Sequence, residues 1–155
     1  MLKKSAADAK LALEKFKAPR TLNPEAIERI SAGIKGFQNV EFDTPVGSID
    51  SEELDLLALI EEAATKAGWK QLSWSGTART ISRPGGKSLI GMELSTPNVG
   101  VGVDPSNGSF LPAAVALADA LRKEDIAAIG TFVALAPPGI NTNPTAIHII
   151  VGRKM

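Results

Sequence analysis

This 155-residue chain has no cysteine and a single histidine. The first absence excludes disulfides, thiolate metal sites and a cysteine nucleophile, and it leaves the redox compartment open. The second leaves too few ligands for the usual zinc sets, which draw on several cysteines and histidines. No run of about 18 apolar residues occurs, so no segment reads as a membrane-spanning helix. The opening MLKKSAADAK lacks the apolar centre of a signal peptide. Net charge is missing too: 17 Lys+Arg balance 17 Asp+Glu, so nothing global draws the chain to nucleic acid or an anionic membrane. These absences predict a soluble chain, not an enzyme, with neither cofactor nor metal.

What remains is ordinary globular composition, 44% hydrophobic and 22% charged, enough for one domain with a real core. Leu2, Ala6, Ala9, Leu13 and Phe16 recur at alternating spacings of four and three, a heptad seam with charged residues around it. Pro19 ends it. The pattern fits either an N-terminal helix lying on its own domain or the end of a longer coiled coil. A second helix is predicted in TLNPEAIERISAGIKGF, capped by Asn23, with Pro24 in its first turn, a stripe of Ile27, Ile30, Ile34 and Phe37, and an exit at Gly36. The chain then divides into 1–18, the stump of a coiled coil, 19–36, a linker and helix, and 37–155, an α/β domain.

Within that domain NVEFD alternates as a half-buried strand does. Asp50 and Glu53 offer a capping box for a helix bearing Leu56, Leu57, Ile60, Ala63, Ala64 and Ala67 on one face. Gly68 ends it, and Trp69 stands where a Schellman turn places its hydrophobic contact. Strands follow in KQLSW, RTIS, SLIGMEL and NVGVGVD. A helix from about Leu111 to Lys123 carries Leu111, Val115, Leu117, Ala118 and Leu121, and AAIGTFVALAP and AIHIIVG close the chain as strands. Two β-α-β units of this length predict an α/β (α+β) fold: a small two-layer sandwich, ferredoxin-like or a related β-α-β-β-α-β sheet, with two helices on one face and an N-terminal helix before it.

Several short motifs invite chemistry. RPGGKS ends like a phosphate-cradling loop, but Ile81 stands where its first glycine belongs, and LIGMELST continues as a strand where a helix must open. GVGVDP has Pro105 in place of the third glycine of a dinucleotide fingerprint, so its glycines read as points of close packing. From Lys66 to Lys87 there are five basic residues, no acid and both tryptophans. Arg79, Arg83 and Lys87 in this stretch are the candidate anion- or nucleic-acid-binding residues. Trp69 is accounted for by the helix end, and Trp74 shares a strand face with Leu72. The acidic stretch from Glu41 to Glu62 balances the basic one. His148 could serve a hydrolase with Asp104 or Asp43 as its orienting acid, yet no G-x-S-x-G elbow accompanies it. Ile147, Ile149 and Val151 share one face of its strand and His148 the other, which predicts a surface or interface imidazole whose loss costs within about 0.5–1 kcal/mol.

The stretches LALEKFKAPRTLNPE, ALIEEAATKAGW, VGVDPS and NPTAIHIIVGRK together resemble a family of bacterial proteins with no established activity. In that family one or two N-terminal transmembrane segments lead through a coiled coil into a small α/β domain ending in this signature. The resemblance runs from about Ala7 onward. It implies that the helix ending at Lys17 is the stump of the coiled coil and that a membrane anchor lies upstream of Met1. The functional expectation is a non-enzymatic interaction or sensor domain, cytoplasmic with the periplasm left open, meeting a second copy or a protein partner. The alternative is an anion or nucleic-acid module built on residues 79–87, and the third is a hydrolase using His148.

Overall fold

The computed structural model describes residues 19–46, 51–72, 79–81, 89–91, 98–103, 109–132, 145–152 and 154. Asn23 is extended, at φ −80 and ψ 170, and its side chain accepts the Ala26 amide at 2.8 Å. With one orphan donor satisfied and Pro24 preset for helical φ, helix α1 runs Pro24–Ile34 and buries Ile27, Ile30 and Ile34. The predicted exit at Gly36 is not made by a left-handed glycine; Asn39, at φ 59, takes the left-handed position before the first strand.

Strands β1 (Glu41–Asp43) and β3 (Lys70–Gln71) flank α2 (Ser51–Lys66), whose Leu56, Leu57, Ile60, Ala63 and Ala64 are buried as the periodicity predicts. Its end is the predicted Schellman turn. Gly68, at φ 94, gives its amide to Thr65 at 3.0 Å, and Trp69 gives its amide to Ala64 at 3.0 Å. The Trp69 ring is thereby driven inward, 6.5 Å from the ring of Phe42, with its indole N–H donating to the Ile34 carbonyl at 3.4 Å.

The second unit is β6 (Val99–Val103), α3 (Leu111–Lys123) and β7 (Ala128–Phe132), and β8 (Ile147–Val151) follows. Together the strands form a five-stranded mixed sheet in the order β3-β1-β8-β6-β7. β8 runs parallel to β1 and antiparallel to β6, so the last strand joins the two β-α-β units. Each unit connects neighbouring strands, whereas a ferredoxin-like split interposes one. The fold is the predicted α/β class, in the related arrangement. Phe42, Val99, Val101, Val103, Ile147, Ile149 and Val151 meet α2 and α3 in one core, which α1 also joins through its contacts with both helices.

Two exposed ion pairs tie α1 down, Arg29 to Glu124 and Lys66 to Glu28. The bond from Arg29 holds the Glu124 carboxyl below its ordinary range, and the bond that Lys66 donates to Glu28 holds Lys66 above its own. Solvent screening keeps the worth of such surface pairs small.

A second sheet, β2-β5-β4, is built from β2 (Pro45–Val46), β4 (Arg79–Ile81) and β5 (Leu89–Gly91). Only Thr44 separates β1 from β2, so the chain passes directly from one sheet to the other. β4 and β5 are antiparallel, with Thr80 opposite Ile90. The seam residues Leu2, Ala6, Ala9, Leu13 and Phe16 lie outside the described residues, as do Asp50 and Trp74.

The stripe predicted for α3 needs one correction. Leu117, Ala118 and Leu121 are buried, together with Ala113 and Ala114, but Val115 is 39% exposed. The cause is Gly130 in β7. A Cβ at Gly130 would stand 2.7 Å from the Val115 Cα and 2.9 Å from its nitrogen, so α3 rests its backbone on the strand and the Val115 side chain points past it. Gly130→Ala is therefore expected to push α3 off the sheet and cost about 1–3 kcal/mol. Urea unfolding measures it, and an unchanged midpoint would contradict the close approach.

Candidate functional site

The parallel pairing of β1 with β8 sets Phe42 beside Ile147 and Asp43 beside His148. The first pair turns to the helices, so the second turns to the opposite face. There His148 Nδ1 and Asp43 Oδ1 stand 2.5 Å apart, and both side chains are wholly buried. The predicted surface or interface imidazole is thus overturned. Alternation along β8 correctly put His148 opposite the helices but could not show that this face is covered, nor that a carboxylate 105 residues away lies alongside. On its other flank His148 faces Gly102 of β6, also buried, which places no side chain against the ring.

A carboxylate accepts only, so the short contact assigns the Nδ1 proton to the imidazole as donor, which fixes the tautomer and leaves Nε2 as the second ring nitrogen. An imidazole oriented by a buried carboxylate is the base-and-orienter half of a hydrolytic triad. Asp43, one of the two acids named from the sequence, takes the orienting position. Asp104, the other, lies outside the described residues. Complete burial closes this ring to bulk solvent, and a closed ring is also what a structural pair requires.

On the helix side, where β1 and β3 end, a second buried polar group forms. Gln71 donates to the Thr44 hydroxyl at 3.5 Å and to the Glu61 carboxylate. Glu61 sits four residues after Leu57 and three before Ala64, on the apolar stripe of α2 itself. That charge on an apolar stripe is a signal of burial legible in the sequence, absent from the site candidates above. Arg20 is a third buried polar group, with no such local signal around it. Its guanidinium bonds Glu52 at 2.7 Å and the Gly152 carbonyl at 2.7 Å, joining the chain before α1 to the start of α2 and the end of β8.

Of the candidate anion-binding residues, Arg79 opens β4, while Arg83 and Lys87 lie outside the described residues. Gly86-Lys87-Ser88 leads into strand β5, so the helix that a phosphate loop requires does not begin there. Among the described residues no group of three or more His, Asp or Glu could hold a metal, and no helix is long and apolar enough to cross a membrane.

The exposed surface has its own concentration. Among the described residues the large hydrophobics that stand out are Val115 at 39%, Ile129 at 58% and Phe132 at 49%, and all three lie on α3 and β7. β7 ends the five-stranded sheet, paired with β6 alone among the described strands. The Arg122 guanidinium reaches its first carbonyl, Ala128, at 2.7 Å.

Truncating the buried pair should be costly. His148→Ala is expected to lose about 3–5 kcal/mol, because it removes the short bond to a buried carboxylate and opens a cavity. The joint change Asp43→Leu with His148→Leu should cost less than His148→Ala, since no buried carboxylate then remains. Urea titrations of the three proteins give the comparison, and a loss below about 1 kcal/mol for His148→Ala would mean a solvated ring.

No family model matches the chain, and no curated protein or solved structure matches it.

Proposed function

We propose that this chain is a non-enzymatic interaction domain, presented by a coiled coil of residues 1–18 and tethered to a membrane through a segment upstream in a longer parent. The observation that carries the reading is the gathering of Val115, Ile129 and Phe132 on one edge of the sheet. An edge strand offers unspent backbone donors and acceptors, and apolar side chains beside it supply burial when a partner arrives. The tether and the coiled coil rest on the heptad seam and on the resemblance described above. The anion-binding alternative rests on the charges of Arg79, Arg83 and Lys87, of which Arg79 opens β4.

Asp43 and His148 favour a second reading, a hydrolase in which Asp43 orients His148 as general base. Chromogenic ester and phosphoester substrates decide it. Turnover by the parent that Asp43→Asn abolishes, with folding retained, would support the hydrolase; the interaction reading expects none.

Sedimentation of the full chain over a concentration series tests the first reading. The parent is expected to sediment above monomer mass, and Leu13→Asp, which sets a charge on the seam, should weaken association by about tenfold or more. A parent that stays monomeric at every concentration overturns the reading.

A further inference from the structure

We infer that β7 pairs with β7 of a second copy, antiparallel about a two-fold axis at Gly130, to make one continuous ten-stranded sheet. This deepens the interaction reading and rests on it. The parallel ladder with β6 sets the direction of each backbone group. The Val99 amide donates to the Ala127 carbonyl at 3.1 Å, and the register continues Val99 with Ala128, Val101 with Gly130 and Val103 with Phe132. In such a ladder Ile129 and Thr131 turn their amides and carbonyls towards β6, and Ala128, Gly130 and Phe132 turn theirs outward. An antiparallel partner centred on Gly130 meets those outward groups with its own. Gly130 bonds Gly130 of the second copy, and Ala128 bonds Phe132 of the second copy, in both directions. The Ala128 carbonyl keeps its bond from Arg122, because a carbonyl oxygen has two lone pairs.

Side chains decide for a second copy over a foreign strand. A two-fold axis brings every group near it close to an identical group, so a charge on the edge would repel itself. Between Asp125 and His148 the chain has no ionisable residue, and the Arg122 guanidinium on the Ala128 carbonyl stands two positions off the axis, away from its counterpart in the second copy. The edge strand carries neither lysine nor proline, the usual guards against edge pairing. Size is also self-complementary. Ala128, Gly130 and Phe132 share the helix face, so reversal sets each Phe132 opposite the other copy's Ala128. On the other face Ile129 meets Thr131, two β-branched residues that pair well. Val115 lies beside Gly130 at the same edge, where a second copy would cover it.

The absence of cysteine gives a clean test. In this register Ile129 and Thr131 of the second copy form a non-hydrogen-bonded pair with Cα atoms about 4.5 Å apart, within disulfide reach. Like residues are offset by a diagonal of about 7–8 Å, too far to bridge without backbone movement. Full-length Ile129→Cys and Thr131→Cys proteins are mixed in equal amounts under mild oxidation. The mixed disulfide dimer is expected well above the roughly two-to-one ratio of random pairing, and each variant alone should cross-link poorly. Association of the parent without that excess overturns the inference while the interaction reading stands, and it leaves the edge to a foreign strand or the copies to the coiled coil alone. A parent that is monomeric, with no excess of mixed dimer, overturns both.

Discussion

Pairing of the last strand with the first is the constraint on which the rest of the structure depends. β1 is three residues long and β8 is five, yet between them they connect the two β-α-β units into one sheet. Main-chain bonds alone would fix such a short contact weakly, and a shift of one residue would turn every side chain to the wrong face. Asp43 and His148 specify the register. Their contact forms only when Phe42 lies beside Ile147, and that alignment also delivers Phe42, Ile147 and Ile149 to the helix-side core. A misregistered pairing would leave a buried carboxylate without its imidazole, at a desolvation cost of several kcal/mol. The histidine thus acts as a register pin within the sheet.

The same ends of chain are held a second time by Arg20. It connects the segment before α1 to Glu52 at the start of α2 and to Gly152 just past β8. Anything attached at the N-terminal end is therefore linked through one buried guanidinium to the sheet's central strand. At the far side of the sheet, α3 sits so low on Gly130 that Val115 is displaced to the edge. Close packing inside the domain is thus what creates the apolar edge outside it.

Local rules read much of this from the residues. Asn23 and Pro24 announced α1, Gly68 and Trp69 announced the Schellman end of α2, and the valines of NVGVGVD and the isoleucines of AIHIIVG announced two core strands. Each of these depends on neighbours within a few positions, where backbone sterics and side-chain period act directly. Val115 was misplaced because a helical stripe read from periodicity tolerates a step of rotation either way, and the real rotation was set by a glycine fifteen positions on. Glu61, on an otherwise apolar stripe, carried a local signal of burial that needed only to be taken as such.

Composition and short-range periodicity are properties of the chain alone, and they carry the class of fold, the course of α1, α2 and α3, and the exclusion of cysteine chemistry. Tertiary packing sets which strands are neighbours, that Asp43 meets His148, that Arg20 reaches Gly152, and that the exposed apolar residues among those described collect on β7 and α3. These pairings join residues up to 132 positions apart. They arise from the packing of whole elements against one another, and nothing in the local pattern around either partner encodes the other.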